Sequence, residues 1–540
     1  MWIPVLISLL LFEFARAELY TAITDLEDLL ESEAFLVRTL HSNIAAEEAK
    51  LDALRRQAKL FEEVQNEARR DISSFLLNPI NAYLLVKRMT VDWKQTEMIM
   101  QENLYDNVLA NFTFFKEQFK FPSDEDLRGA AEALIRLQDT YKLDTSSVAR
   151  GELNGIQYSS ALSASDCFEL GRQSYNKQDY VHTSLWMKEA LKKYEQEKNQ
   201  TTTQKWEILE YLAYSTYMEG KLLNLLTDEL LRLFPNHQKA LGNRAYYLAA
   251  ISKEEEEARK QQDVNSESTT TDTSKESKGS YSSDRAFYEA LCRKEVTLSP
   301  EYEAKLKCHY VTHNNPYLLI GPLKEEEAYL DPRIVLYREV ISDSEIELVS
   351  DDLQKPNSLR RATVQNYKTG ALETANYRIS KSAWLKDHED EVIERISKRV
   401  EDMTGLTTST AEELQVVNYG IGGHYEPHFD FARPSEANAF SSLGTGNRIA
   451  TVLFYMSDVA EGGGTVFPRL NLALWPKKGT AAVWMNLHAS CNGDYRTRHA
   501  ACPVLIGSKW VCNKWLHVVG QEFRRPCVPN EFQSVDQDYN

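Results

Sequence analysis

The chain has 540 residues, 42% of them hydrophobic, and a formal net charge of −18. That length supports several domains with ample core, and so acidic a balance argues against a nucleic-acid partner, whose phosphates demand basic surface. No later segment approaches the roughly 18 consecutive apolar residues of a membrane span, so none is expected.

Residues 1–17 hold a short apolar run, 5–14, and close on Ala15-Arg16-Ala17. The run is too short to cross a bilayer, and its small-residue ending predicts a secretory signal cleaved after Ala17. In a lumenal or secreted chain, Asn111-Phe112-Thr113 and Asn199-Gln200-Thr201 make Asn111 and Asn199 glycosylation acceptors. Over residues 18–143, Leu29, Leu30, Leu36, Leu51, Leu54 and Leu60 recur at helical spacing among Glu, Lys and Arg. This predicts a helical domain, which could serve a coiled coil between chains or a bundle within one.

Residues 163–253 are helical again and rich in aromatics. Gly171, Tyr175, Tyr180, Trp186 and Ala190, then Tyr211, Tyr214, Tyr217 and Gly220, then Ala240, Asn243 and Tyr246 match the spacing of tetratricopeptide helix pairs. The clearest pair spans 205–234, before Pro235. Such a stripe can pack a helical core or line a groove. Residues 254–284 begin with an acidic run and continue in Ser and Thr with almost nothing apolar to bury, which predicts a disordered linker.

Residues 285–540 form the last region, with its core at about 410–522. Apolar segments at 449–456, 481–484 and 504–506 alternate with turns such as Gly462-Gly463-Gly464-Thr465-Val466-Phe467-Pro468. Short strands between such turns read as a β-sandwich or jelly roll (a double-stranded β-helix), making the whole chain α+β and multidomain. Within it stand His428-Phe429-Asp430, a distant His499, and then Lys509. Residues at i and i+2 of a strand share a face, so His428 and Asp430 can bind one ion together. Two imidazoles and a carboxylate are the ligand set of a non-haem Fe(II) oxygenase and leave three octahedral positions open for cosubstrate and O2. Zinc is the chemical rival, but structural zinc takes four Cys or His ligands and no Cys-X-X-Cys pair is present. Lys509 could hold a carboxylate of the cosubstrate, which points to 2-oxoglutarate.

Longer motifs surround these residues: His424-Tyr425-Glu426-Pro427-His428-Phe429-Asp430-Phe431-Ala432-Arg433, Gly446-Asn447-Arg448-Ile449-Ala450-Thr451, Thr497-Arg498-His499-Ala500-Ala501-Cys502-Pro503-Val504 and Asn513-Lys514-Trp515-Leu516-His517. In these the sequence resembles the collagen prolyl 4-hydroxylase α subunits, through nearly the whole mature chain and most densely over 416–527. The resemblance implies an ER enzyme that hydroxylates proline C4 in X-Pro-Gly repeats. His428, Asp430 and His499 would be its iron ligands and Lys509 its anchor for the C5 carboxylate of 2-oxoglutarate. Tyr419 and Thr465 would support the cosubstrate pocket, and Arg448, His517 and Tyr425 would align peptide or cosubstrate. Arg448 could instead pair with a local carboxylate, and Tyr425 could be a packed core aromatic. L-ascorbate would rescue iron oxidised in unproductive turnovers.

The resemblance also makes 163–253 a peptide-substrate-binding domain, with Tyr211 and Tyr246 as groove residues and Asn243 bonding peptide backbone; flat rings suit a preorganised polyproline guest. It makes 18–143 an assembly domain and implies protein disulfide isomerase as β subunit of an α2β2 tetramer. The chain ends Gln537-Asp538-Tyr539-Asn540 without a Lys-Asp-Glu-Leu signal, so ER retention would come from that partner. Of seven cysteines, the resemblance implies disulfides Cys292–Cys308 and Cys502–Cys527. Cys167 would stay free, while Cys491 and Cys512 could bridge each other or remain buried thiols. Two alternatives stay open: a catalytically idle binder of Pro-rich peptides, and a 2-oxoglutarate hydroxylase of another residue such as lysine.

Overall fold

A computed structural model describes residues 23–72, 75, 78–101, 113, 121–197, 202–220, 224–246, 284–354, 359–365, 372–436, 439–441 and 443–528. The expected signal, Asn111, Asn199 and all but the last residue of the 254–284 tract lie outside them. No described helix is long and apolar enough to cross a membrane.

The chain divides into two units. One, residues 24–123, is built on the 48-residue helix α1 (Ile23–Arg70), then α2 (Pro79–Lys87) and α3 (Trp93–Gln101). Asn78 caps α2 by accepting from the Ile80 N–H at 3.0 Å, with Pro79 just inside the helix where no N–H is needed. Leu30, Leu51 and Leu60 of α1 are exposed while Leu29, Leu36 and Leu54 are half-buried, so the described residues cover the apolar stripe only in part.

The second unit opens with α4 (Asp124–Tyr141), whose first turn carries Asp124, Glu125 and Asp126, charges suited to a helix N-terminus. Helical spacing groups this helix with the preceding ones; its packing places it with the hairpins C-terminal to it. Those two helical hairpins are α5 (Ala164–Asn176), α6 (Tyr180–Glu197), α7 (Lys205–Met218) and α8 (Asn224–Leu233), each packed on its successor. Ser163 and Asp166 close a reciprocal capping box at the start of α5. The apolar faces of α5 to α7 meet around Cys167, Trp186, Met187, Ala190, Ile208 and Leu212. Trp186 Nε1 donates to Gln138 Oε1 of α4 at 2.9 Å, which ties α4 to the hairpins.

The catalytic region begins at α9 (Asp284–Cys292) and also holds α10 (Asp343–Gln354) and α11 (Glu391–Thr404). Its two main sheets are built from β1 (Cys308–Val311), β2 (Leu323–Tyr329), β3 (Ile334–Arg338), β4 (Arg360–Arg361), β5 (Arg378–Ile379), β6 (Lys381–Leu385), β7 (Leu414–Tyr419), β8 (His424–His428), β9 (Arg448–Tyr455), β10 (Thr465–Phe467), β11 (Leu472–Leu474), β12 (Thr480–Met485), β13 (His499–Ala501) and β14 (Lys509–His517). A nine-stranded sheet runs β1-β2-β3-β12-β9-β14-β7-β6-β4, and a five-stranded one β11-β10-β13-β8-β5. This is the two-sheet arrangement expected from the alternating segments.

Strand periodicity explains the layers. Ala450, Val452 and Phe454 of β9 face one core with Val349 of α10 and Ile396 and Val400 of α11. Leu453 and Tyr455 face the other, with Phe467 and Leu472 of the smaller sheet. A central strand buried on both faces reads as a near-continuous apolar run, as Ile449 to Met456 does, interrupted by Thr451.

α4 also touches the catalytic strands. Arg136 donates to the Gly422 carbonyl at 2.9 Å and Tyr141 to the Pro503 carbonyl at 2.5 Å. Gly422 sits at φ +69°, and a Cβ there would meet Ala133 Cβ at 2.8 Å, so the turn into β8 needs glycine twice over.

The cysteines pair differently from the implied scheme. Cys292 at the end of α9 is bonded to Cys502, just after β13, 210 residues away, in place of Cys292–Cys308 and Cys502–Cys527. α9 packs against the small sheet with Tyr288, Leu291 and Cys292 beside Val466, Ala500 and Cys502, and this brings the two cysteines together. Cys308 is exposed on β1 with its thiol free. Cys512 is buried against Met456 (3.0 Å between sulfurs) and does not face Cys491. Cys167 is free and buried, and burial pushes its thiol up to about 12.

Candidate active site

The metal-ligand candidates come together through strand register. β8 and β13 are antiparallel and set His428 directly opposite His499. Their rings lie 4.5 Å apart between centroids, and Asp430 reaches both: 3.7 Å from Oδ1 to His428 Nε2 and 3.6 Å from Oδ2 to His499 Nε2. The three offer ligand atoms within 4.8 Å of one another and are the only such group among the described residues.

Backbone carbonyls choose the tautomers. His428 Nδ1 donates to the Glu426 carbonyl at 2.8 Å and His499 Nδ1 to the Thr497 carbonyl at 3.0 Å. A carbonyl can only accept, so Nδ1 carries a hydrogen, and a neutral ring held this way has its lone pair on Nε2. Burial, reinforced by neighbouring His499, pushes His428 well below the ordinary imidazole range and keeps it neutral. Burial opposes charge on Asp430, yet His499, His428 and Arg448 outweigh it and hold the carboxyl below the usual carboxylate range. Two imidazoles and a carboxylate converge on one point, a donor set that fits a divalent first-row metal.

Asp430 is oriented from the larger sheet. Thr451 on β9 and Trp515 on β14 are cross-strand partners and share the face between the sheets. Thr451 Oγ1 donates to Asp430 Oδ2 at 2.7 Å, Trp515 Nε1 donates to the same oxygen at 3.0 Å, and Asn486 Nδ2 donates to Thr451 Oγ1 at 2.9 Å. Residue spacing does not single out Thr451, Trp515 or Asn486, although Thr451 and Trp515 stand inside family-like motifs. We expect Thr451→Val, which keeps shape and removes the donor, to raise the Fe(II) needed for half-maximal turnover about tenfold or more. An unchanged iron titration would show that Trp515 alone suffices.

Lys509 is the most unusual charge in the fold. It is 1% exposed, and no carboxylate pairs with it among the described residues. Its one bonded neighbour among the described residues is Thr465, to whose Oγ1 the ammonium donates at 3.3 Å; Tyr455 O–H also donates to that hydroxyl, at 2.9 Å. Register sets Tyr419 opposite Lys509, with the ammonium 5.6 Å from the Tyr419 ring centroid. Burial alone pushes Lys509 down to about 7. Trp484 Nε1 is a buried donor without a hydrogen-bond partner among the described residues, on an indole lying 4.8 Å from the His499 ring. Thr465 pairs with Ala501, which shares a strand face with His499, so cation and donor triad line one space between the sheets. An unmatched buried cation and an unmatched N–H beside a metal-ligand set fit a small dicarboxylate such as 2-oxoglutarate.

The remaining expected residues lie around this space and in the hairpins. Tyr425 stacks flat on His428, 3.5 Å between centroids, with the Arg378 guanidinium 4.9 Å from its ring. Arg448 forks onto Glu412, with Nη2 donating to Oε2 at 2.8 Å, and lies 3.9 Å from the Trp515 ring centroid. His517 sits between the Gly446 carbonyl at 2.7 Å and Glu412 Oε1 at 3.0 Å. Arg448 and His517 thus share one half-buried carboxylate, Glu412, for which no sequence signal exists. In the hairpins, Tyr211 is half-buried, edge-on to Tyr175 at 4.9 Å, in a cluster that includes Tyr180 and Tyr214. Tyr246 is 62% exposed, with the Tyr217 ring edge-on at 5.7 Å, and Asn243 is half-buried.

Comparison with known proteins agrees with this geometry. The family model for the prolyl 4-hydroxylase α-subunit N-terminal region matches residues 22–155, that for the prolyl 4-hydroxylase peptide-substrate-binding domain 164–253, and that for the 2OG-Fe(II) oxygenase superfamily 414–517. Prolyl 4-hydroxylase subunit alpha-1 of Mus musculus is 48% identical over 98% of this chain and 100% of its own length. Subunit alpha-2 of Caenorhabditis elegans is 49% identical over 97% of this chain and 96% of its own.

Proposed function

The chain belongs to the prolyl 4-hydroxylase α-subunit family, and from that premise we propose that His428, Asp430 and His499 hold its Fe(II) while Lys509 anchors 2-oxoglutarate. It is an Fe(II)- and 2-oxoglutarate-dependent dioxygenase that hydroxylates proline C4 in collagen-like sequence. The observation that carries the residue assignment is a buried ammonium, with no carboxylate partner among the described residues, lining the same space as a converged His-Asp-His triad. Bound there, iron with 2-oxoglutarate and O2 supplies an oxidant no side chain can, converting the cosubstrate to succinate and CO2.

The protein's part is orientation and exclusion. Glu426 and Thr497 carbonyls aim the two Nε2 lone pairs, and Thr451 and Trp515 fix the Asp430 carboxylate. Lys509 matches the cosubstrate charge, with Thr465 and Tyr455 adding hydroxyls. Leu453, Phe467, Trp484 and Val511 wall the space with apolar surface and keep water away. The Tyr425 ring on His428 narrows the approach to the metal face.

Substrate reaches this site with help from the hairpin module. Tyr246 is exposed enough to stack on a polyproline ring, and Tyr211 belongs to the tyrosine cluster of α5 to α7. We expect Tyr246→Ala to raise the KM for a long (Pro-Pro-Gly) repeat about three- to tenfold while leaving kcat and the KM of a single-triplet peptide unchanged. Equal effects on both peptides would place Tyr246 outside the groove.

Residues 1–17 and the acceptor triplets support an ER lumenal chain, glycosylated at Asn111 and Asn199. Ascorbate would serve as reductant. Protein disulfide isomerase as β subunit of an α2β2 tetramer accords with the family, and the exposed leucines of α1 support pairing of α subunits. The test is turnover of a (Pro-Pro-Gly) repeat by the chain co-expressed with protein disulfide isomerase, with Fe(II) and ascorbate. Succinate should form in step with 4-hydroxyproline; peptide binding without succinate would leave only a binding protein.

A further inference from the structure

We propose that Cys491 and Cys527 form a second disulfide, which clamps the loop leading into His499. Their Sγ atoms lie 2.8 Å apart, and both side chains are exposed. Closing that gap to a bond of about 2.05 Å takes a movement of less than an ångström. Of the other described cysteines, only Cys308 on β1 is also a free, exposed thiol. Cys502 is bonded to Cys292, Cys512 is buried against Met456, and Cys167 is buried in α5. Neither segment needs to travel, because each already holds the other: Val528 N–H donates to the Ala489 carbonyl at 3.1 Å and Arg525 Nη2 to the Leu487 carbonyl at 3.0 Å.

The bond forms by exchange with an external disulfide. One thiolate attacks it and expels a thiol; the second cysteine then displaces the other half. One Sγ–Sγ bond is made, the external disulfide leaves as two thiols carrying both hydrogens, and the two cysteines are the electron donors.

The clamped loop matters because it runs to the metal ligands. Gly493 packs so tightly on Phe431, the residue after Asp430, that a Cβ would lie 2.0 Å from the ring. Asp494 N–H donates to the Asn486 carbonyl at 2.9 Å, and Thr497 N–H to the Asp494 carbonyl at 3.1 Å. The Thr497 carbonyl then sets the His499 tautomer. The C-terminal tether therefore fixes the segment from which one proposed ligand hangs.

Peptide mapping of the full chain, alkylated and digested with trypsin without reduction, tests the bond. The peptide holding Cys491 should be joined to the one holding Cys527, and that holding Cys292 to that holding Cys502. Cys527 found alkylated, or joined to Cys502 or Cys308, would overturn it. This map does not depend on the reading of His499 as an iron ligand, whereas the clamp does. For the clamp, Cys491→Ser, Cys527→Ser and the double variant should lower the thermal midpoint equally, by roughly 5–10 °C. Each should also raise half-saturating Fe(II) about three- to tenfold with the 2-oxoglutarate KM unchanged. A mapped bond whose loss leaves iron affinity untouched would reduce it to a plain tether and refute the clamp.

Discussion

Lys509→Met should raise the KM for 2-oxoglutarate by roughly 10- to 100-fold and, at the same time, make the ligand-free chain more stable. Most active-site substitutions weaken function without a gain in stability of this kind. Here the gain comes from burial: Lys509 is 1% exposed with no carboxylate partner among the described residues, so the fold carries an uncompensated cation until an anion arrives. The depression from the ordinary 10.5 to about 7 corresponds to a few kcal/mol of unfavourable charging at neutral pH. Methionine fills similar space without that cost. A thermal midpoint that rises in the ligand-free variant, with a smaller 2-oxoglutarate-induced shift than in the parent, would confirm both halves. A fall in midpoint would mean that Lys509 has a stabilising partner.

The same depression sets the sign with pH. Between about 7 and 10.5 the unfolded chain holds a proton on this lysine that the folded, ligand-free chain does not. Stability from this group therefore rises with pH through that window and is lowest below it. Cosubstrate binding runs the other way. The carboxylate wants the ammonium, so binding above about pH 7 takes up a proton. The KM for 2-oxoglutarate should climb with pH by up to about tenfold per unit, and Lys509→Met should flatten that slope.

His499→Ala should abolish coupled turnover, with succinate and 4-hydroxyproline both falling by more than roughly 100-fold, beyond what loss of an orienting partner costs. His499 is buried, tied to Thr497 and set opposite His428, so its loss removes one of three converging donors without touching the sheet ladder. Asp430→Ala should do the same and also strand the hydrogens of Thr451 and Trp515. Near-wild-type circular dichroism with no iron-dependent turnover is the expected pair of readings. Retention of a tenth of the activity by either variant would remove that residue from the ligand set.

Much of the site is legible in the chain itself because its cues are local. The i, i+2 spacing of His428 and Asp430, the glycines before β8 and the alternating apolar strands depend only on backbone period. So do the start of α5, whose Ser163 and Asp166 satisfy the first turn, and the hairpin of α7 and α8 ending near Pro235. What only the tertiary structure decided involves partners far apart in sequence. Thr451 and Trp515 meet Asp430 through pairing of β9 with β14, and Glu412 draws in both Arg448 and His517. α4 left its sequence neighbours because Arg136 and Tyr141 find carbonyls on the catalytic turns. Cysteine pairing depends on which helix covers which sheet edge, so Cys292 met Cys502 across 210 residues. Composition names the cation at Lys509; only the packing shows that nothing in the described chain neutralises it. Local periodicity determines which face a side chain takes, while its energy depends on what the other sheet brings against that face.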